Sequence, residues 1–82
     1  MTEDQIREVV GRVLNSIAPE VDLSSIDPAR SLRDQIDIDS VDFLNFVIGL
    51  HKELEVDIPD TDLPKLGTLN GCAAYLLSRL KS

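Results

Sequence analysis

The chain has 82 residues, 43% hydrophobic, 28% charged and 4% aromatic, with eight Lys and Arg against 15 Asp and Glu and a formal net charge of −7. A chain this short buries somewhat more than about 60% of its unfolded surface and has material for one core, so residues 1–82 are expected to form a single domain. The acid excess excludes phosphate-led binding of nucleic acid and attraction to anionic membranes, and so few aromatic rings leave little for bases to stack on.

Thr2 and Gln5 form a capping box, after which Ile6, Val9, Val10, Val13, Leu14 and Ile17 recur at helical spacing. This amphipathic helix stops before Pro19, whose ring disfavours helical geometry in the residue preceding it. From Pro19 to Ile38 the polar residues, Pro28 and the scattered Leu23, Ile26 and Leu32 read as a long loop pinned to a core by occasional apolar side chains. A loop that long in so small a domain usually has a purpose.

Asp39 then caps a second helix, with Asp42 in the reciprocal capping-box position, running to Leu54 or Glu55. Asp60 is expected to cap a short turn through Leu63, Pro64 and Leu66, closed by Gly67. Thr68 caps a last helix in which Leu69, Cys72, Ala73, Leu76, Leu77 and Leu80 share a face, with Arg79 and Lys81 favourably placed near its C-terminus. No segment alternates as a strand would. The expected fold is all-α, a small bundle of three main helices plus one short helix, with a long loop between the first and second helices.

At about 100° per residue, Phe43, Phe46, Val47, Leu50 and Leu54 fall on one arc of the second helix, and Val41, Leu44 and Ile48 extend the apolar span to about 220°. One core needs less than that. Either the helix is packed on two sides, or Val41 and Ile48 lie exposed beside Ser40 as a docking patch.

Charge is concentrated in the same region. Between Asp34 and Asp62 lie nine acids and one base, Lys52, against six acids and seven bases elsewhere. A surface facing a basic partner accounts for this, and so does a solvated acidic face that keeps a small protein in solution.

Catalytic chemistry finds little support. His51 is the only histidine and Cys72 the only thiol, and spacing joins neither to a base or an orienting carboxylate. Cys72 falls on a buried stripe and His51 at the edge of an apolar arc, so both read as structural or surface residues. A calcium loop begun at Asp37 puts Val41, Asp42 and Ile48 where a ligand, a Gly and a Glu are required, and no metal site is expected. With one cysteine, a polar N-terminus and no bilayer-length apolar run, the chain reads as a cytoplasmic protein without direct membrane insertion.

The stretch Ile36-Asp37-Ile38-Asp39-Ser40-Val41-Asp42, at the mouth of a helix after a long loop, resembles the acyl carrier proteins and their peptidyl and aminoacyl carrier relatives, which carry an Asp-Ser-Leu motif. The resemblance covers nearly the whole chain, including Ser31-Leu32-Arg33-Asp34 and Val56-Asp57-Ile58-Pro59. It implies a non-enzymatic carrier in which Ser40 bears 4′-phosphopantetheine, transferred from coenzyme A by a magnesium-dependent phosphopantetheinyl transferase, and holds acyl groups as thioesters. Asp39 then caps the helix and helps position the transferase. Val41, Ile48, Asp34, Asp37 and Asp42 meet the basic docking surfaces of acyl ligase, synthase or acyltransferase partners, and Phe43, Phe46, Val47 and Leu50 line an acyl-chain site between helices. A monomer is expected.

Val41 stands where the family usually has Leu, and Asn45, His51 and Lys52 stand where fatty-acid carriers often have acids. These departures favour a specialised member over a general fatty-acid synthesis carrier. An aminoacyl, peptidyl or polyketide carrier, and an unmodified acidic interaction module, are the alternatives.

Overall fold

A computed structural model describes residues 1–81; the Lys81 side chain and Ser82 lie outside the described residues, and with them the expectation placed on Lys81. The first helix, α1 (Glu3–Ile17), opens on the expected capping box: Gln5 N–H donates to Thr2 Oγ1 at 3.2 Å, and Thr2 N–H donates to Gln5 Oε1 at 2.9 Å. Its apolar stripe, Ile6, Val9, Val10, Val13 and Leu14, is buried. Ala18 N–H closes the helix on Leu14 O at 2.9 Å, just before Pro19.

The long connection is more structured than a plain loop. It contains a 3-10 turn, η1 (Leu23–Ser25), capped by the Asp22 carboxylate on Ser24 N–H at 3.1 Å, and a single helical turn, α2 (Leu32–Gln35). Both are too short to show a hydrophobic period; a side-chain cap marks η1, whereas Ser31 at the start of α2 makes no side-chain cap bond. Leu32 and Ile26 anchor the segment in the core, while Gln35 ties it internally, accepting from Asp27 N–H at 2.7 Å and donating to Asp27 O at 2.9 Å. Backbone bonds from Leu32 to Gly67 (2.8 Å) and from Asn70 to Pro28 (3.0 Å) fasten it to the far end of the chain.

The third helix, α3 (Ser40–Leu54), packs antiparallel on α1: Arg12 pairs with Glu53 at 3.1 Å, and Val13 lies against Gly49. Gly49 is a packing requirement, since a Cβ there falls 2.6 Å from Val13 Cγ1. The helix ends at Glu55 in the left-handed region (φ 55°), a conformation that disfavours a side chain.

A 3-10 helix, η2 (Asp60–Leu66), follows. Here Pro59, not Asp60, is the capping residue, and no side chain caps the turn. Pro59 is extended (φ −71°, ψ 154°), so the chain enters the helix one residue earlier than expected and Asp60 is already inside it. The last helix, α4 (Leu69–Lys81), has Thr68 Oγ1 accepting from Gly71 N–H at 2.8 Å. A side chain at Gly71 would collide with the Lys65 carbonyl, so η2 sits directly on the start of α4.

The described residues contain no strand, and the architecture is the expected all-α bundle of three main helices with a short one. Ile6, Leu14, Leu32, Phe46, Leu50, Leu66, Cys72 and Leu76 are completely buried and form one core shared by every main element. No described helix is long and apolar enough to cross a membrane.

Candidate functional site

The N-terminus of α3 carries the motif. Asp39 is extended, and its carboxylate accepts from Asp42 N–H at 2.8 Å, while the Asp42 carboxylate accepts from Asp39 N–H at 3.4 Å. This reciprocal pair fixes where the helix begins and therefore where Ser40, its first residue, points. Ser40 is exposed, and its hydroxyl makes no hydrogen bond among the described residues. The first N–H groups of a helix have no intrahelical partner. Asp42 N–H is used by Asp39 and Phe43 N–H by the Asp39 carbonyl, at 3.0 Å. The N–H groups of Ser40 and Val41 remain at the positive end of the helix dipole, where a phosphodiester on Ser40 is electrostatically favoured. An exposed nucleophile with anion-accepting backbone beside it fits a covalently attached phosphopantetheine.

Along α3 the wide apolar arc resolves into two faces. Phe46, Val47, Leu50 and Leu54 are buried, whereas Val41, Leu44 and Ile48 are 62%, 45% and 48% exposed. The helix is thus not packed on both sides, and Val41 and Ile48 lie exposed as an apolar patch on the helix that opens with Ser40. Leu44 belongs to that patch although sequence reasoning named only Val41 and Ile48; it lies one turn beyond Ser40, in line with Ile48 at the next.

The acids sit around this patch. Asp34 and Asp37 are exposed in the connection, where they share a cleft with Glu20, Asp22 and Arg30. Asp42 is partly covered because its carboxylate turns back onto the cap. Past the first turn, Asn45 and Lys52 are exposed and Glu53 is paired with Arg12. Net acidity therefore flanks α3 and does not line it.

The residues expected to line an acyl site divide differently. Phe46 and Leu50 are completely buried, and Phe43 is half-buried with its ring 6.2 Å from Phe46, tilted by 44°. These three belong to the packed interior. Val47 alone of the four also borders an open groove of about 310 Å³ between α3 and η2. Leu44, Ile48 and His51 complete its α3 wall, and Asp57, Ile58, Asp60 and Leu63 form the other. Ile58 and Leu63 escaped sequence reasoning because they lie in an irregular stretch with no helical period to mark a face.

His51 borders the groove about three turns from Ser40, and Cys72 lies in the core, so neither is beside the serine. His51 is exposed, with Nδ1 2.7 Å from Val56 O, which ties the ring to the turn after α3. Cys72 is buried, donates its S–H to Leu66 O at 3.2 Å, and has its thiol pKa pushed up to about 12 by desolvation. It is therefore inert as a thiolate at neutral pH. Among the described residues no group of three or more His, Cys, Asp or Glu side chains is placed to share a metal ion.

An exposed serine opening one of the three main helices of a small all-α bundle is an arrangement that can carry a covalently attached prosthetic group. The family described as "Phosphopantetheine attachment site" matches residues 4–76. The acyl carrier protein of Chlorobium luteolum is 32% identical over 79 residues, spanning 96% of this chain and 100% of that protein. That of Lactobacillus acidophilus is 30% identical over 73 residues (87% and 91%), and that of Cyanidioschyzon merolae 29% identical over 82 (100% and 89%). The chain belongs to the acyl carrier family of phosphopantetheine-binding proteins. Its prosthetic group is a covalently attached 4′-phosphopantetheine, it is a carrier and not a catalyst, and its partners include a phosphopantetheinyl transferase and synthesis enzymes.

Proposed function

We propose that Ser40 is the attachment point and that residues 1–82 form a single carrier domain, monomeric and cytoplasmic, shuttling acyl thioesters between enzymes of fatty-acid, lipid or related biosynthesis. The observation that carries this reading is the exposed, unbonded Ser40 hydroxyl at the first position of α3, set there by the Asp39–Asp42 capping box. When attached, the arm supplies a terminal thiol that holds the acyl group as a thioester. Asp39 fixes the start of the helix and so presents Oγ to the transferase, while the Ser40 and Val41 N–H groups favour the phosphate once it is in place.

Partners dock on Val41, Leu44 and Ile48, with Asp34, Asp37 and Asp42 attracting a basic rim on each enzyme. Such contacts favour fast, reversible visits. The exposed Asn45 and Lys52, together with the pairing of Glu53 to Arg12, support service to a dedicated set of enzymes with basic groups at the ends of their docking surface. The groove between α3 and η2 takes the cargo: its apolar walls start one turn from Ser40, at Leu44.

Incubation with coenzyme A and a broad-specificity phosphopantetheinyl transferase, followed by intact-mass measurement, tests the reading. One phosphopantetheine addition is expected, with none on Ser40→Ala. No addition to the wild type with several competent transferases leaves an unmodified acidic interaction module as the correct account.

A further inference from the structure

The groove between α3 and η2 exists because η2 is held elsewhere, against α4. A 3-10 helix repeats every three residues, so side chains at i and i+3 share a face. On η2, Asp60 and Leu63 form the row that borders the groove, while Asp62 and Lys65 form a second row facing Tyr75 of α4. Tyr75 Oη donates to Asp62 Oδ2 at 2.7 Å, and Lys65 Nζ lies 3.4 Å from Asp62 Oδ1. Two cations bracket the ring, Lys65 Nζ at 6.0 Å and the Arg79 guanidinium at 5.6 Å from its centroid. Arg79 also donates to the Asp57 carbonyl at 2.9 Å, which fixes the segment leading into η2. The clasp is thus polar and close to the surface. It joins α4 to the one element whose opposite face is the groove wall.

We propose that Tyr75 and Asp62 are positioning residues for the cargo: their hydrogen bond holds η2 on α4 at the spacing that lets the groove receive the acyl chain. Resting on the reading of the groove as the cargo site, this adds residues that touch neither arm nor cargo. The hydroxyl of Tyr75 is the critical group. Tyr75→Phe keeps the ring and its stacking with Lys65 and Arg79 but releases η2, whereas Asp62→Asn loses the charge and keeps a carbonyl oxygen that can accept from Tyr75.

The test uses the full chain, modified with phosphopantetheine and loaded with an octanoyl group, in three forms: wild type, Tyr75→Phe and Asp62→Asn. Mass spectrometry first reports loading, independently of where the cargo lies. Loading the wild type should shift the amide resonances of Leu44, Ile48, Ile58 and Leu63. In Tyr75→Phe those shifts should fall at least twofold, amide exchange across Asp60–Leu66 should accelerate at least tenfold while that of α1 stays unchanged, and the thioester should hydrolyse several times faster. Asp62→Asn should lie closer to the wild type on all three.

If exchange accelerates in Tyr75→Phe while the loading shifts and hydrolysis match the wild type, the clasp is structural only and the proposal is overturned. Unchanged exchange overturns it as well, because the hydroxyl then does not hold η2. If the wild type loads but shows no shifts in the groove, the groove reading fails and takes this proposal with it, while attachment of the arm stands on the mass result.

Discussion

The inner and outer faces of α3 put similar residues to opposite use. Inward, Phe46 and Leu50 are completely covered, with Val47 and Leu54 nearly so; outward, Val41, Leu44 and Ile48 keep about half of their surface in water. Burial is where apolar side chains gain their stabilisation, of order 1.5–3 kcal/mol each when complete. The outer three therefore add little to folding, and they form the exposed apolar surface proposed above for partner docking. One helix thus carries a packed face and an exposed apolar face.

Substitutions on the two faces should diverge accordingly. Phe46→Ala should lose about 3–5 kcal/mol of stability, because the side chain is fully enclosed and leaves a cavity. Chemical denaturation checks this, and a loss below 1 kcal/mol would mean that the inner face is not the core. Asp39→Ala, at the junction of the two faces, removes a cap and should cost about 1 kcal/mol in the same measurement. It should also slow modification by the transferase, since the start of the helix frays where Ser40 is presented.

At the opposite end of α3 the sign reverses. Glu55 adopts a left-handed conformation that costs a side-chain-bearing residue about 1–2 kcal/mol. Glu55→Gly relieves that strain and gives back part of it in unfolded-state entropy, so a net gain of about 0.5–1 kcal/mol is expected as a raised melting temperature. Smallest of all, Leu44→Ala and Ile48→Ala should stay within about 0.5 kcal/mol of the wild type in stability. Both should nevertheless lower kcat/KM of the transferase several-fold. An equal loss of stability on both faces would erase the distinction between them.

The clasp between η2 and α4 adds a pH signature. Its hydrogen bond from Tyr75 holds the Asp62 carboxyl below the usual Asp range, and burial together with that same bond raises the Tyr75 hydroxyl above its ordinary value. Lys65, Arg79 and Asp57 are the other charged groups facing the pair. A depressed carboxyl stabilises the fold above its unfolded pKa and loses that contribution as pH falls through the folded value. A raised phenol does the reverse on the alkaline side. Protection of the η2 amides should therefore be greatest at intermediate pH and fall at both extremes, below about pH 4 and above about pH 10. Tyr75→Phe should flatten both limbs relative to the global stability of each form.

Most of this frame is legible in the sequence, because α1, α3 and α4 combine a hydrophobic period with side-chain caps at Thr2, Asp39 and Thr68. Those are local signals. What a helical wheel cannot tell is which part of a wide apolar arc has a neighbour. On that one arc Phe46 and Leu50 are enclosed by the core and Phe43 packs against it, whereas Leu44 is left exposed beside Val41 and Ile48. The second groove wall, Ile58 and Leu63, and the bond between Asp62 and Tyr75 depend on contacts between elements, which no local pattern encodes. The two turns of the long connection escape for the opposite reason, being too short to repeat anything.

The most direct test of the central claim locates the modification itself. Fragmentation mass spectrometry of the protein after reaction with coenzyme A and transferase should place the whole phosphopantetheine adduct on Ser40, with the other serines and threonines unmodified. An adduct on any of those residues, or an unmodified Ser40 in a protein that has gained the group, would contradict the account.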